Sequence, residues 1–260
     1  MHGKAFVLAF ALAAAHALMC AAPAEGSGGG ARPQRRASSA RRAAPSKVTQ
    51  EEVVRFPRLG EVRVRAVEAR GRQPRVEFAS AATGRLLFSA TLGSSDPESF
   101  RPTLSPGVSP IEPFVRFMSV SADGLPSPMV AAVAVRPGGS DHGFETTLIG
   151  EVAGRLKVLT PEPGWTPIQG GVFVGDLGGG RGPGMAVWEF IWADDEAHYD
   201  RHRYAARLYK FDRRRAVFRR FDALRSKEKH ESGEAALEGM KLPRYANLLD
   251  NFPAIKEYRN

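Results

Sequence analysis

The side chains best suited to chemistry fall in one short polar run, Asp194, Asp195, Glu196, His198, Tyr199, Asp200, His202 and Arg203. If the run is extended, Asp194, Glu196, His198, Asp200 and His202 share a face, because side chains alternate along a strand. Two imidazoles with Asp194 and Glu196 make a donor set for a divalent ion, at about 2.0–2.2 Å for zinc. The same groups would suit a general acid/base pair in a metal-dependent hydrolase. The competing reading is an exposed loop between strands, with histidines solvated or paired to neighbouring acids. A ligand set from one contiguous loop is uncommon for a catalytic metal, so the non-catalytic reading leads. His142, near Asp141 and Glu145, stands in a second polar loop upstream.

Other catalytic patterns are missing from the sequence. There is no serine nucleophile elbow and no H-E-x-x-H, and Cys20 is the sole cysteine. Gly178-Gly179-Gly180 does not read as a phosphate loop, because no Lys-Ser/Thr follows and a strand comes next.

The elements around these residues read as strands. Val62, Val64 and Ala66 alternate with Arg63, Arg65 and Val67, which predicts a half-buried strand with a basic outer face. Arg75–Ala79 and Leu86–Leu92 flank a hairpin turn whose Gly84 can take positive φ. Ser94–Pro113, rich in Pro and Ser, predicts a long crossing loop. Strands are expected at Phe114–Val120, Met129–Val135, Thr146–Val152 and Leu156–Leu159, with a loop at Pro137–Gly143 and a turn at Ala153-Gly154-Arg155. Ile168 to Asp222 then reads as a four-stranded antiparallel unit. Trp188, Phe190 and Trp192 share a parity within it and should face one side, as core or as a carbohydrate-stacking platform. Helical spacing is confined to the C-terminal end, at Gly233–Met240 and Tyr245–Tyr258. There Leu248, Leu249, Phe252 and Ile255 are spaced to dock on the domain. Ser226–Glu234 is charged and expected to be mobile.

With 260 residues, 43% hydrophobic and including 15 Phe, the chain can build a sizeable core. Residues 1–24 are expected to be a cleaved signal peptide: a short basic start, an apolar Ala5–Met19, and Ala22-Pro23-Ala24 as an A-x-A site. Met19 before Cys20 makes a poor lipidation signal. A chain left without cysteine after cleavage has no disulfide, which fits a bacterial envelope, periplasmic or secreted, better than a eukaryotic secreted module. Residues 25–47 carry Arg32, Arg35, Arg36, Arg41, Arg42 and Lys47 against Glu25 and predict a disordered basic linker. It is read as a solvated spacer, with electrostatic contact to a membrane surface or cell-wall polymer as the alternative. The whole chain carries +9. Setting aside Lys4 and the linker's net +5 leaves +3 for residues 48–260. The positive charge therefore reads as a property of the tail, not of a folded basic face, and specific nucleic-acid binding is not expected.

The chain repeats itself. A shift of 55 residues places Val115–Gly124 over Gly170–Gly179 and Pro128 over Pro183, and with a short insertion Leu148–Leu159 falls on Leu208–Phe218. Each copy reads strand, Gly/Pro turn, strand, long loop, strand, tight turn, strand, and cannot bury both faces alone, so copies must pack side by side. The order strand, D-x-x-G-x-x-x-P, apolar strand resembles the FG-GAP/VCBS-type blade repeats of integrin-alpha propellers and exported bacterial proteins. The likeness spans Pro113–Asp222, with a weaker partial copy at Arg75–Leu92. The resemblance implies a calcium loop, but each copy keeps one carboxylate, Asp123 or Asp176, where calcium takes six to eight oxygens. A structural turn with Asp capping backbone amides is the favoured use of these loops.

The resulting expectation is an all-β fold of antiparallel blade-like repeats over residues 48–224, a small or partial propeller with a sandwich as the alternative. A C-terminal segment, 225–260, adds a short helix. The function expected is a non-catalytic binding or scaffolding module of the envelope, without a cofactor, for an unknown protein, glycan or envelope component. The alternative is a hydrolase that holds a divalent metal through Asp194, Glu196, His198 and His202.

Overall fold

The computed structural model describes residues 45–69, 72–92, 115–136, 143–167, 169–193, 195–197, 200–253 and 255. The expected signal peptide, the linker up to residue 44, the crossing loop Ser94–Pro113 and the Asp141–His142 loop lie outside these residues. The fold is all-β and antiparallel, in three sheets. The first is a meander of β1 (Lys47–Phe56), β2 (Gly60–Glu68), β3 (Arg75–Ser80) and β4 (Leu86–Thr91). The second runs β5 (Val115–Val120), β6 (Met129–Arg136), β7 (Gly143–Val152) and β8 (Arg155–Val158), with β9 (Gly164–Pro167) also on β7. The third is β10 (Gly171–Asp176), β11 (Pro183–Ile191), β12 (Arg203–Asp212) and β13 (Val217–Arg225). A strand already starts at Lys47, the last residue of the expected linker.

The repeat is visible in strand register. Val120 pairs Met129 and, 55 residues on, Gly175 pairs Gly184. Met129 pairs Gly150, and the equivalent pair is Gly184 with Lys210. The copies diverge at their last turn. Between β7 and β8 only Ala153 (φ 52°) and Gly154 (φ 77°) intervene, the left-handed pair of a tight hairpin. Between β12 and β13 the turn is Arg213–Ala216, where Asp212 Oδ1 accepts the amides of Arg214 (3.0 Å) and Arg215 (3.1 Å).

Packing follows from alternation. β6 reads Met-Val-Ala-Ala-Val-Ala-Val with every side chain buried, the continuous apolar run of a strand covered on both faces. Val130, Ala132 and Ala134 face the first sheet, against Val64 and Phe78; Met129, Ala131, Val133 and Val135 face the third, against Met185 and Val187. The small alanines let three sheets share two cores. The outer faces are finished differently. On the first sheet Glu51 of β1 binds Arg63 (3.3 Å) and Arg65 (2.6 Å) of β2, and Glu77 of β3 binds Arg75 at 2.7 Å. The basic face expected of β2 is therefore neutralised by its neighbours. On the third sheet Trp188, Tyr204 and Leu208 are covered by Leu237 of helix α1 (Gly233–Gly239) and by Leu242 and Tyr245. A 3₁₀ turn, Leu248–Asn251, follows, and Leu248, Leu249, Phe252 and Ile255 are buried as their spacing predicts.

The Gly/Pro turns stack in series. A side chain at Gly124 (φ 78°) would meet Pro183 Cγ at 2.8 Å, and one at Gly178 (φ 68°) would meet Pro243 Cγ at 2.6 Å. The C-terminal segment thus meets the third sheet's turn as the third sheet meets the second's.

Candidate functional site

β11 hands its chain to β12 through the polar run, whose described residues, 195–197 and 200, are not strand. Glu196 N–H donates to Ala193 O (3.1 Å) and Asp200 N–H to Ala197 O (3.0 Å), while Asp200 Oδ2 accepts the Ala197 amide at 2.7 Å. Each of these bonds closes a turn, so described Glu196 and Asp200 do not lie on an extended strand. Asp200 is occupied in local capping. Asp194 and His198 lie outside the described residues. Glu196 and His202 do come together, with Nδ1 of His202 at 2.7 Å from Oε2 of Glu196.

The pair is held from several sides. The His202 side chain is fully buried and that of Glu196 nearly so, at 0% and 4% exposed. The imidazole stacks on Phe190 at 4.4 Å between centroids and meets Trp192 edge-on at 5.3 Å. Its backbone pairs with His230, His202 N–H donating to His230 O (3.0 Å) and His230 N–H returning to His202 O (2.7 Å). The segment beyond β13, read from sequence as mobile, is therefore anchored. Ser226 helps, its hydroxyl accepting the Tyr204 amide (2.9 Å) and donating to Glu228 O (2.8 Å). The same segment delivers Lys229, whose Nζ lies 2.8 Å from Oε1 of Glu196.

Both oxygens of Glu196 are thus occupied by donors. Hydrogen bonds from Lys229 and His202 hold its carboxyl down at about 2, against an ordinary 4.5. A carboxylate ionised at any ordinary pH only accepts, so the hydrogen-bonded His202 Nδ1 carries a proton. Lys229 is raised in return, chiefly by its bond to Glu196. A depressed carboxyl contributes stability that is complete above the ordinary value and is lost as pH falls towards the folded one. Thermal stability should therefore drop between about pH 4.5 and 2, and Glu196→Gln should flatten that part of the acid limb. Parallel melting-temperature curves for the two proteins over that window would contradict the assignment.

A second polar cluster lies between the second and third sheets, and sequence reading missed it. Glu189 of β11 and Arg207 of β12 are cross-strand diagonal neighbours with a 3.1 Å ion pair, and Arg207 also donates to Trp165 O at 3.4 Å. Tyr209 donates to Glu162 at 3.3 Å. Burial raises Glu189, with Arg207 opposing and Glu162 adding to the rise, and burial likewise raises Tyr209. Glu189 and Arg207 form an ion pair at the sheet interface, though buried Arg207 Nε has no hydrogen-bond partner, and exposed Glu162 accepts from Tyr209 at the rim.

The remaining candidates have simpler uses. Asp176 Oδ1 accepts the Gly178 amide at 2.9 Å, capping its turn, and Asp123 is exposed. Trp188 and Phe190 are core, at 0% and 4% exposed, and Trp192 at their side is 41% exposed. A cleft of about 410 Å³ opens beside His230, lined by Arg225, Lys227, Glu228, Met240 and Lys241. Among the described residues no group of three or more His, Cys, Asp or Glu side chains is placed to hold a metal. None of their helices is long and apolar enough to cross a membrane. Lys229 and His230 were invisible as site residues because their partners lie about thirty positions upstream. No family model matches this chain and no curated protein is similar to it, so its function has to be argued from this geometry.

Proposed function

We propose that this chain is a non-catalytic binding or scaffolding module of the bacterial envelope, exported to the periplasm or beyond. The observation that carries the reading is Glu196, whose two oxygens are already taken by His202 and Lys229. To ligate a cation it would have to give up Lys229, and to act as a base it would have to gain a proton with a carboxyl held near 2. The cluster ties the β11–β12 loop to the segment after β13, which is structural work. Consecutive antiparallel meanders with repeated register support the likeness to FG-GAP/VCBS-type blades, and with it a small or partial propeller architecture.

Metal analysis of the purified protein tests the reading against the hydrolase alternative. The expected result is no stoichiometric zinc or calcium in wild type, His198→Ala or His202→Ala, with His202→Ala lowering the melting temperature by loss of packing. Stoichiometric metal that disappears in the two variants would overturn it.

A further inference from the structure

Positive charge in the domain is gathered in one place. Residues 210–229 hold nine basic side chains against Asp212, Asp222 and Glu228, a net +6, whereas residues 48–260 as a whole carry +3. The rest of the domain is therefore net negative. The charge expected of the tail alone has a folded counterpart, on the β12–β13 hairpin and the segment that continues it along one edge of the third sheet. Arg213, Arg214, Arg215, Arg219 and Arg220 are all exposed. Asp212 does little to cancel them: it caps the turn amides, and its nearest arginine, Arg219, is 3.7 Å away with 59% of its side chain exposed. The contrast is the first sheet, where Glu51 and Glu77 pair the arginines beside them.

The surface also carries an exposed aromatic ring. A bulge opposite Leu208/Tyr209 leaves Phe221 without a cross-strand partner, 43% exposed, with Lys210 Nζ 5.0 Å from its ring centroid. Phe218 N–H donates to Leu159 O at 2.7 Å, which brings the end of β8 alongside β13. Exposed Lys157 thereby lies beside the hairpin, while Val158 shares the face of Leu156 and Ile149 that looks towards the first sheet. Arginines on an edge strand are explained in part by the need to discourage pairing with other sheets. That need does not explain an aromatic ring turned outward among them.

We propose that the β12–β13 hairpin with the end of β8 docks on an anionic phospholipid surface. The arginines meet headgroup phosphates, and Phe221 reaches the acyl boundary. This rests on the reading of the chain as a binding module and names what it binds. Each basic residue near an anionic leaflet strengthens attachment about fivefold, within a Debye length of roughly 8–10 Å. A single-stranded nucleic acid would call for several aromatic platforms for successive bases, and Phe221 is the one exposed ring among the described residues of this surface.

The test is vesicle co-sedimentation of the purified chain with segment 25–47 in place. Vesicles of phosphatidylglycerol and phosphatidylcholine are compared with phosphatidylcholine alone. Binding is expected to the anionic vesicles only, to weaken with salt, and to fall about a hundredfold in Arg214→Ser/Arg219→Ser/Arg220→Ser. It should fall further with Phe221→Ser. Arg35→Ser/Arg36→Ser/Arg41→Ser, in the linker, should keep most of the binding. An unchanged melting temperature in the hairpin variant certifies its fold, since these arginines are exposed. The proposal is overturned if the hairpin variant binds like wild type, if only the linker variant loses binding, or if a single-stranded oligonucleotide is preferred to the vesicles. None of those results touches the non-catalytic reading, which stands or falls on the metal analysis.

Discussion

A chain cut after Lys241 should fail to fold. The cut removes Leu242, Tyr245, Leu248, Leu249, Phe252 and Ile255, all buried. Each fully buried side chain of this kind contributes about 1.5–3 kcal/mol, so even after the entropy of ordering the segment the loss rivals the 5–15 kcal/mol of a typical domain. Polar losses add to it. Asn247 Oδ1 accepts the Val172 amide (3.1 Å) and its Nδ2 donates to Gly170 O (3.3 Å), standing in for a missing strand beside β10. Tyr245 donates to Leu177 O at 2.9 Å. Asn247→Ala alone, which strands two buried backbone groups, should cost about 2–5 kcal/mol. Circular dichroism and solubility decide the matter. A soluble truncated chain melting cooperatively within a few degrees of full length would show the segment to be an ornament.

The second large effect is expected at Trp188. Its ring is fully buried, backed by Gly171 on β10 and by Gly233 at the start of α1, where a Cβ would come within 2.6 Å of Nε1. Trp188→Ala should cost about 3–5 kcal/mol, or some 6–20 °C in melting temperature for a domain of this size. Gly171→Ala should cost about 1–3 kcal/mol for the opposite reason, since the added methyl is driven into the indole. Trp192→Ala, four residues away and 41% exposed, should cost under about 1 kcal/mol. Equal losses at the two tryptophans would contradict the packing described.

What could be read from the sequence was what the chain encodes locally. Alternation gave the strands, glycine at positive φ marked the Gly84 and Gly154 turns, and the 55-residue offset foretold a register that the sheets keep. β9 escaped notice because Pro161, Pro163 and Pro167 crowd a four-residue strand whose pairing exists only because β8 leaves the first half of β7 uncovered. The Ser226–His230 segment looks mobile by composition, and its order comes from a distant backbone, that of His202. At the candidate site, Glu196 and His202 were legible as chemistry-bearing types, but their neighbours were not. Asp200 caps the Ala197 amide, and Lys229 arrives from another element. Cross-strand charge pairing was hidden for the same reason: nothing local to Arg65 announces Glu51.

The two end faces of the sheet stack differ in kind, one a lattice of ion pairs and the other an apolar sheet under its own C-terminal cover. That difference has a consequence for symmetry. If the cover loosened, the bare third sheet could not seat on the charged first sheet of a second copy without burying Arg63, Arg65 and Glu51. Head-to-tail growth into a filament is therefore disfavoured. An uncovered third sheet would match another third sheet better than this charged face, so association would stop at a closed two-fold pair.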